Sequence, residues 1–308
     1  MENMYDLIIT GAGPAGMTAG IYASRLNLKT LLITKTFGGQ ISSKAVGIEN
    51  YPGFSSIQGP DLIKKMEQHL KTLPIDIELD EVVEIKKKGK NFLILTKNKE
   101  YETCSVILAT GSTYKHLGVP GEKKFLGKGV SHCSVCDGPL FKGKDVAIIG
   151  GGNAGFETAA FLTNIAKKIY ILEFSDEVKA FEHIQDIVKA SGKVEIITQA
   201  ALKEIKGEKM VSSIVFDHKG KEKTLEVKGV FIEVGYIPAV PNVNDLVDFN
   251  EQGEIKVEFE TMQTKTPGLY AAGDVNAGQF KQIVAAAGEG AKAALAAHNY
   301  IKHKKIER

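Results

Sequence analysis

Tryptophan is absent from the 308 residues, cysteine occurs three times and proline nine times. No apolar run comes near the roughly 20 residues needed to cross a bilayer, so a membrane-spanning chain is not expected. Three cysteines cannot build a disulfide framework. A small secreted scaffold is thereby excluded, and a close cysteine pair in such a chain reads as redox-active or metal-binding. Charge of one sign is also lacking: 39 lysines and arginines against 37 aspartates and glutamates leave a net +2, which gives no argument for nucleic acid or an anionic membrane as partner. The N-terminus has no basic lead and no cleavable apolar region before its first strand, so a cytoplasmic location is expected. The one basic run, Lys302-His303-Lys304-Lys305, is expected to be a frayed tail rather than a binding patch.

What is present in quantity is glycine, and it falls in a pattern. Gly11-Ala12-Gly13-Pro14-Ala15-Gly16 follows an apolar strand over residues 5–10, and Gly150-Gly151-Gly152-Asn153-Ala154-Gly155 follows a second strand, Asp145–Ile149. Each loop opens a helical pattern. In such a loop the first glycine permits the tight turn, the second lets the backbone approach a pyrophosphate, and the third allows helix and strand to touch. The helix N-terminus then offers N–H groups and a positive dipole end to the phosphates. Asn153 and Glu157, at the start of the second helix, belong to this candidate site.

The two loops carry the same ruler. Gly16 and Thr34 stand 18 positions apart, as do Gly155 and Glu173. Each interval holds the helix and return strand of one βαβ unit. The return strand ends where adenosine ribose is met. Glu173 there would accept from the ribose hydroxyls and repel a 2′-phosphate, and the following Phe174 and Ser175 offer no arginine to neutralise one. NADH is therefore expected over NADPH. Thr34 holds the equivalent place in the first module.

Alternating apolar strands and helices define an α/β chain with two Rossmann-type, three-layer dinucleotide-binding domains, the second inserted into the first. Residues 1–114 and 241–308 form one domain and 115–240 the other, with linkers at 114–121 and 235–238. Residues 75–94 read as an antiparallel excursion with a polar tip at 86–91. A strand ending on Gly273-Asp274 precedes an Ala-rich helix over 282–300.

Cys133-Ser134-Val135-Cys136 can close a small disulfide, and two thiols this close can share a proton and activate each other. The rival reading is half a zinc site. His132 adjoins the pair, but zinc asks for four such ligands and a second Cys or His pair is missing, so no metal is expected. Asp137 stands where a proton must come and go as thiolates form and leave; a turn or cap role before Gly138-Pro139 is the plainer alternative. Cys104, in an apolar strand, reads as a small buried hydrophobe.

These motifs resemble the low-molecular-weight thioredoxin reductase family over nearly the whole chain. The resemblance rests on the two glycine loops together with Gly38-Gly39-Gln40, Glu49-Asn50-Tyr51-Pro52-Gly53, Ala109-Thr110-Gly111, Cys133 to Asp137, and Gly273-Asp274. It implies that Gly11, Gly13, Pro14, Ala15, Gly16, Gly39, Gln40, Asn50, Thr110, Gly111, Gly273 and Asp274 surround FAD. Gln282, with its neighbours Lys281 and Ile283, would lie near the flavin. It also implies that Cys136 meets the flavin, Cys133 attacks a partner disulfide and Asp137 is the general acid, in a homodimer whose inserted domain rotates. Within the family, Cys136-Asp137-Gly138-Pro139-Leu140-Phe141-Lys142-Gly143-Lys144 and Gly288-Glu289-Gly290-Ala291-Lys292-Ala293 look closest to the C-terminal portion of the alkyl hydroperoxide reductase flavoprotein. That relative carries an additional N-terminal electron-accepting module that this sequence does not show, which implies a separate thioredoxin- or glutaredoxin-like acceptor. NADPH-using members have a His-Arg-Arg signature where Glu173-Phe174-Ser175 stands.

The reading is thus a relay from NADH through FAD and the Cys133/Cys136 pair to a protein disulfide. Two rivals stand beside it: the same thiol chemistry fed by ferredoxin or NADPH, and a flavin redox sensor that does not turn over.

Overall fold

The computed structural model describes residues 4–43 and 47–306. They gather into two compact units, one comprising 4–42, 47–113 and 237–306, the other 114–236.

The first unit is built on one sheet, ordered Asp76–Leu79, Thr30–Phe37, Met4–Ala12, Glu100–Leu108, Asn91–Thr96, Val82–Lys88. Side-chain alternation explains its three layers. Leu7, Ile9, Leu32 and Ile107 point to one face, against Ala15, Met17, Ala19 and Ala23 of the helix Pro14–Arg25 and Ala293, Ala294 and Ala297 of the helix Ile283–Ile306. Ile8, Leu31, Ile33, Val106 and Leu108 point to the other face, where Ile85, Phe92 and Ile94 meet them. Most of these side chains are wholly buried, and each buried Leu, Ile, Val, Phe or Met among them contributes roughly 1.5–3 kcal/mol of transfer free energy. Glu100–Leu108 changes partner along its length. Its first half pairs antiparallel with Asn91–Thr96, and its second half pairs parallel with Leu269–Ala271.

Residues 75–94 depart from the single antiparallel excursion expected. Asp76–Leu79 is a parallel edge strand beside Thr30–Phe37, and only Val82–Lys88 and Asn91–Thr96 fold back on each other. Ile75 and Ile77 draw the first piece onto the helix-side core, so it completes the parallel sheet instead of leaving it.

The basic run is not a frayed tail. The last helix continues to Ile306, and Lys304 is buried, its Nζ donating to the carbonyl of Lys90, to Asn91 Oδ1 at 3.1 Å and to the Cys104 carbonyl at 3.3 Å. Spacing by charge alone could not reveal that one lysine of the run faces inward. Cys104 itself is buried and takes no part in a disulfide.

Small residues set how closely the two long helices approach. A Cβ at Gly290 would lie 2.1 Å from the Ala15 carbonyl oxygen, a backbone atom that cannot swing away. Gly290→Ala is accordingly expected to force the helices apart and cost about 1–3 kcal/mol, as overpacked cores do. A thermal unfolding midpoint equal to that of the parent would refute this.

The second unit repeats the plan. Five parallel strands run in the order Val130–Ser131, Gly229–Ile232, Asp145–Ile149, Lys168–Leu172, Val194–Ile197. Val146 and Ile148 face Phe156, Ala159 and Leu162 of the helix Asn153–Leu162. Ala147 and Ile149 face an antiparallel sheet of Ala200–Gly207, Val211–His218 and Lys221–Glu226 through Ile205, Ile214 and Phe216. No helix among the described residues is long and apolar enough to cross a membrane.

Candidate functional site

Each unit carries a glycine loop between its first long strand and the helix that follows, and the two loops match position by position. Gly11 (φ +98°) and Gly150 (φ +116°) have left-handed backbones that disfavour any side chain, and a Cβ on either would meet a carbonyl oxygen, of Ala109 or Glu233, at 2.3 Å. Gly16 and Gly155 are blocked differently: a Cβ there would lie 1.8 and 2.0 Å from the carbonyl oxygens of Gly11 and Gly150. Gly13 and Gly152 face open space, with nothing within 4 Å of an added Cβ. Both are N-caps with extended backbones, and no side chain caps either helix. Two glycines of each loop hold the turn shut, and the middle one leaves a bare cradle in front of unsatisfied helix N–H groups. That is the shape a pyrophosphate requires.

Around the first cradle lie other residues singled out by the sequence. The Thr110 hydroxyl, beside Gly11, is buried without a hydrogen-bond partner, a polar atom left for a ligand to satisfy. Gln40 Nε2 donates to the Ser112 carbonyl and hydroxyl, and that hydroxyl stands 3.5 Å from Asp274 Oδ2. Asn50 Nδ2 donates to Gln282 Oε1 at 3.2 Å, just ahead of Ile283 and its helix. Gly39 and Gly111 take left-handed turns, as does Gly273, whose N–H donates to Glu289 Oε2 at 2.7 Å. The donor set, the orphan hydroxyl and the cradle fit a dinucleotide such as FAD.

Two of the expected cofactor residues also make contacts within the protein. Thr34 Oγ1 donates to the Thr36 carbonyl at 2.7 Å and accepts from the Ala12 N–H at 3.2 Å, so it braces the glycine loop. Lys281 Nζ pairs with Glu254 Oε1 at 2.9 Å and donates to the carbonyls of Asp274 and Asn276, fixing the turn. Sequence reading gave no role to Ser112 or Glu289, which position these groups; Ser112 merely adjoins Ala109-Thr110-Gly111, and Glu289 entered only as part of the resembling segment 288–293.

In the second unit, Glu173 stands just past its strand, its two carboxylate oxygens accepting the Gly151 N–H at 2.6 Å and the Ser175 N–H at 2.8 Å. Burial works against its charge, but these backbone donors prevail and hold its pKa below the usual carboxylate range. The Ser175 side chain adds a third hydrogen bond, and since a carboxylate has about four lone-pair sites, one remains for a ligand. Asn153 Oδ1 accepts the Phe181 N–H at 2.8 Å, which steadies the loop beyond Glu173. Glu157 lies half-buried on the helix behind the cradle.

The same unit holds Cys133 and Cys136 as a closed disulfide. Cys133 is the N-cap of the short helix Ser134–Asp137; its sulfur accepts the Cys136 N–H at 3.1 Å and its carbonyl accepts the Asp137 N–H at 3.2 Å. Ser131, overlooked in the sequence, accepts the Cys133 N–H at 2.9 Å. Cys136 is exposed, Cys133 and Asp137 half-buried. Thr158, on the helix that starts at the second glycine loop, donates to Glu233 at 2.8 Å and stands 3.3 Å from Ser134 Oγ. A hydroxyl has one proton, so the Ser134 hydroxyl must be the donor in that second bond. Disulfide helix and nucleotide helix are thereby tied within one unit.

Two dinucleotide cradles and a disulfide on one chain define a nucleotide-dependent thiol–disulfide oxidoreductase. A family model described as pyridine nucleotide-disulphide oxidoreductase matches residues 5–290, and the chain belongs to that family. It is 38% identical to a thioredoxin reductase of Bacillus subtilis over 98% of this chain and 96% of that protein. It is also 38% identical to a Bacillus subtilis protein named NADH dehydrogenase, over 96% of this chain but 58% of that longer protein. Among solved structures, the thioredoxin reductase of Lactococcus lactis (FR conformation) superposes with a TM-score of 0.93 at 38% identity, over 97% of this chain and 99% of that one. Family membership brings a flavin and a nicotinamide nucleotide as the cofactor pair.

Proposed function

We propose that the chain is an NADH-dependent flavoprotein disulfide reductase that serves a small thioredoxin- or glutaredoxin-like protein, working as a cytoplasmic homodimer. The observation that carries this reading is the closed Cys133–Cys136 disulfide in the same unit as the second open cradle. Residues 1–114 with 241–308 are assigned to FAD and 115–240 to the nicotinamide nucleotide.

The chemistry a bound FAD supplies is acceptance of hydride from a dihydronicotinamide and delivery of two electrons to a disulfide. Gly11, Gly13, Pro14, Ala15 and Gly16 would hold its pyrophosphate, with Gln40, Asn50, Thr110, Asp274 and Gln282 as polar neighbours. Gly150, Gly152, Asn153 and Gly155 would hold the NADH pyrophosphate, and Glu173 its ribose. Two electrons open the Cys133–Cys136 bond, Cys136 being the sulfur that receives them. The Cys136 N–H that faces Cys133 Sγ favours a thiolate there. Cys133 then attacks the partner's disulfide, forming a mixed disulfide and expelling one partner sulfur, which takes a proton from Asp137. Cys136 then attacks Cys133, its thiol proton passing by way of Asp137 to the second partner sulfur; the disulfide re-forms, the partner leaves as a dithiol, and Asp137 regains its proton from solvent.

The donor assignment rests on Glu173, with support from the relative named NADH dehydrogenase. An anaerobic titration following oxidised-flavin absorbance, with NADH and NADPH in parallel, tests it. Bleaching by NADH at lower concentration is expected; a yellow protein that neither nucleotide bleaches would make ferredoxin the donor. Glu173→Arg combined with Ser175→Arg replaces a carboxylate by two cations where a 2′-phosphate would sit. The ratio of kcat/KM for NADH over NADPH is expected to fall at least about tenfold, the equivalent of about 1.4 kcal/mol. An unchanged ratio would mean that these side chains do not face the ribose.

A further inference from the structure

In the second unit His116, Glu122 and His132 converge, their ligand atoms all within 4.8 Å of one another. His132 is turned by a bond from its Nδ1 to the Ile232 carbonyl at 3.2 Å. Only a protonated Nδ1 can make that bond, which leaves the lone pair of the neutral ring on Nε2. That Nε2 is buried and has no hydrogen-bond partner. Tyr114 stacks on the ring at 4.8 Å between centroids, fixing its plane. Glu122, opening the short helix Glu122–Phe125, is 4% exposed, and its carboxylate is anchored by the N–H groups of Leu117 at 3.3 Å and Gly118 at 2.7 Å. His116 Nδ1 lies 3.0 Å from Glu122 Oε1, while its side chain is 63% exposed.

We propose that His116, Glu122 and His132 form a binding site for a borderline divalent transition metal, zinc foremost, with water as fourth ligand on the His116 side. The sequence reading sought zinc ligands in a second pair of cysteines or histidines near Cys133; the fold instead supplies His116 and Glu122. Two imidazoles and a carboxylate are a donor set zinc accepts, and hard cations such as magnesium do not favour imidazole. A ligating histidine ordinarily gives its other ring N–H to a carbonyl or carboxylate, which is what His132 does with Ile232. Bonds of about 2.0–2.1 Å in a tetrahedral site place ligand atoms roughly 3.3 Å apart, so the widest gap must close by about 1.5 Å. The exposed His116 side chain is free to make that movement, and it provides the entry path.

Equilibrium dialysis of the full chain against zinc chloride, with excess magnesium and the Cys133–Cys136 disulfide kept closed, tests the site. The closed disulfide removes both sulfurs as competing ligands. One zinc per chain is expected, with affinity at least about tenfold weaker in His116→Ala and in His132→Gln, the lower end of what disturbing a metal's surroundings costs. His116→Ala alters an exposed side chain, so its folding is not in question. Zinc bound with equal affinity by parent and His116→Ala, or no stoichiometric zinc in the parent, overturns the proposal.

Discussion

Cys136→Ser is expected to reduce protein-disulfide reduction by at least about three orders of magnitude, as removal of a covalent catalyst does. Without Cys136 the disulfide cannot form, so the two electrons have no sulfur acceptor. Nothing in the substitution touches either cradle, and bleaching of the flavin by NADH should persist. Cys104 cannot serve in its place, being buried in the sheet of the first unit. The roles of the two sulfurs separate in a second readout. In Cys136→Ser the remaining Cys133 has no resolving partner, so an oxidised thioredoxin should accumulate as a mixed disulfide seen on a non-reducing gel. Cys133→Ser should be equally inactive but should trap nothing, because Cys136 is assigned to the flavin side. If Cys133→Ser trapped the partner and Cys136→Ser did not, the two assignments would be exchanged. The greater exposure of Cys136 than of Cys133 makes that comparison worth running.

Much of this site was legible in the sequence because its parts are local. A glycine loop, its strand and its helix lie within about 20 residues, a spacing set by the βαβ geometry itself. The Cys133–Cys136 pair closes over three positions. Glu173 was placed by counting from Gly155, and the structure puts its carboxylate on the Gly151 N–H. What composition and spacing could not supply were contacts between distant segments. Thr34 was placed opposite Glu173 by the same count, but spacing could not show that its hydroxyl bonds to the backbone groups around it. Lys281, expected near the flavin, also pairs with Glu254, 27 positions earlier, a contact no local pattern announces. The Lys302–Lys305 run failed for the same reason: Lys304 finds its three acceptors in residues 90, 91 and 104. His116 was read as part of a linker and His132 as a neighbour of the cysteines, and Glu122 was not singled out, since nothing in their spacing announces that the three converge.

The matched glycine loops give the second large expectation, and it separates binding from folding within one motif. Gly13 and Gly152 have extended backbones open to any residue, and an added side chain meets no protein atom within 4 Å. A valine at either place should therefore leave the fold intact while filling the space a pyrophosphate must enter. Gly13→Val is expected to purify colourless and to bind added FAD at least about a hundredfold more weakly, equivalent to about 2.7 kcal/mol. Gly152→Val should remain yellow, retain its disulfide, and resist bleaching at NADH concentrations that reduce the parent. Gly16→Ala and Gly155→Ala are the controls. There the new methyl would overlap a backbone carbonyl at 1.8 or 2.0 Å, so the strand–helix contact itself must give way and the thermal midpoint should drop. If Gly152→Val were bleached by NADH as readily as the parent, the second cradle would not be the site from which hydride is delivered. A yellow Gly13→Val variant with unchanged flavin affinity would equally remove the first cradle from the flavin assignment. The discriminating power comes from geometry the two loops share, in which the outer glycines are required by the protein's own carbonyls and the middle one only by a ligand.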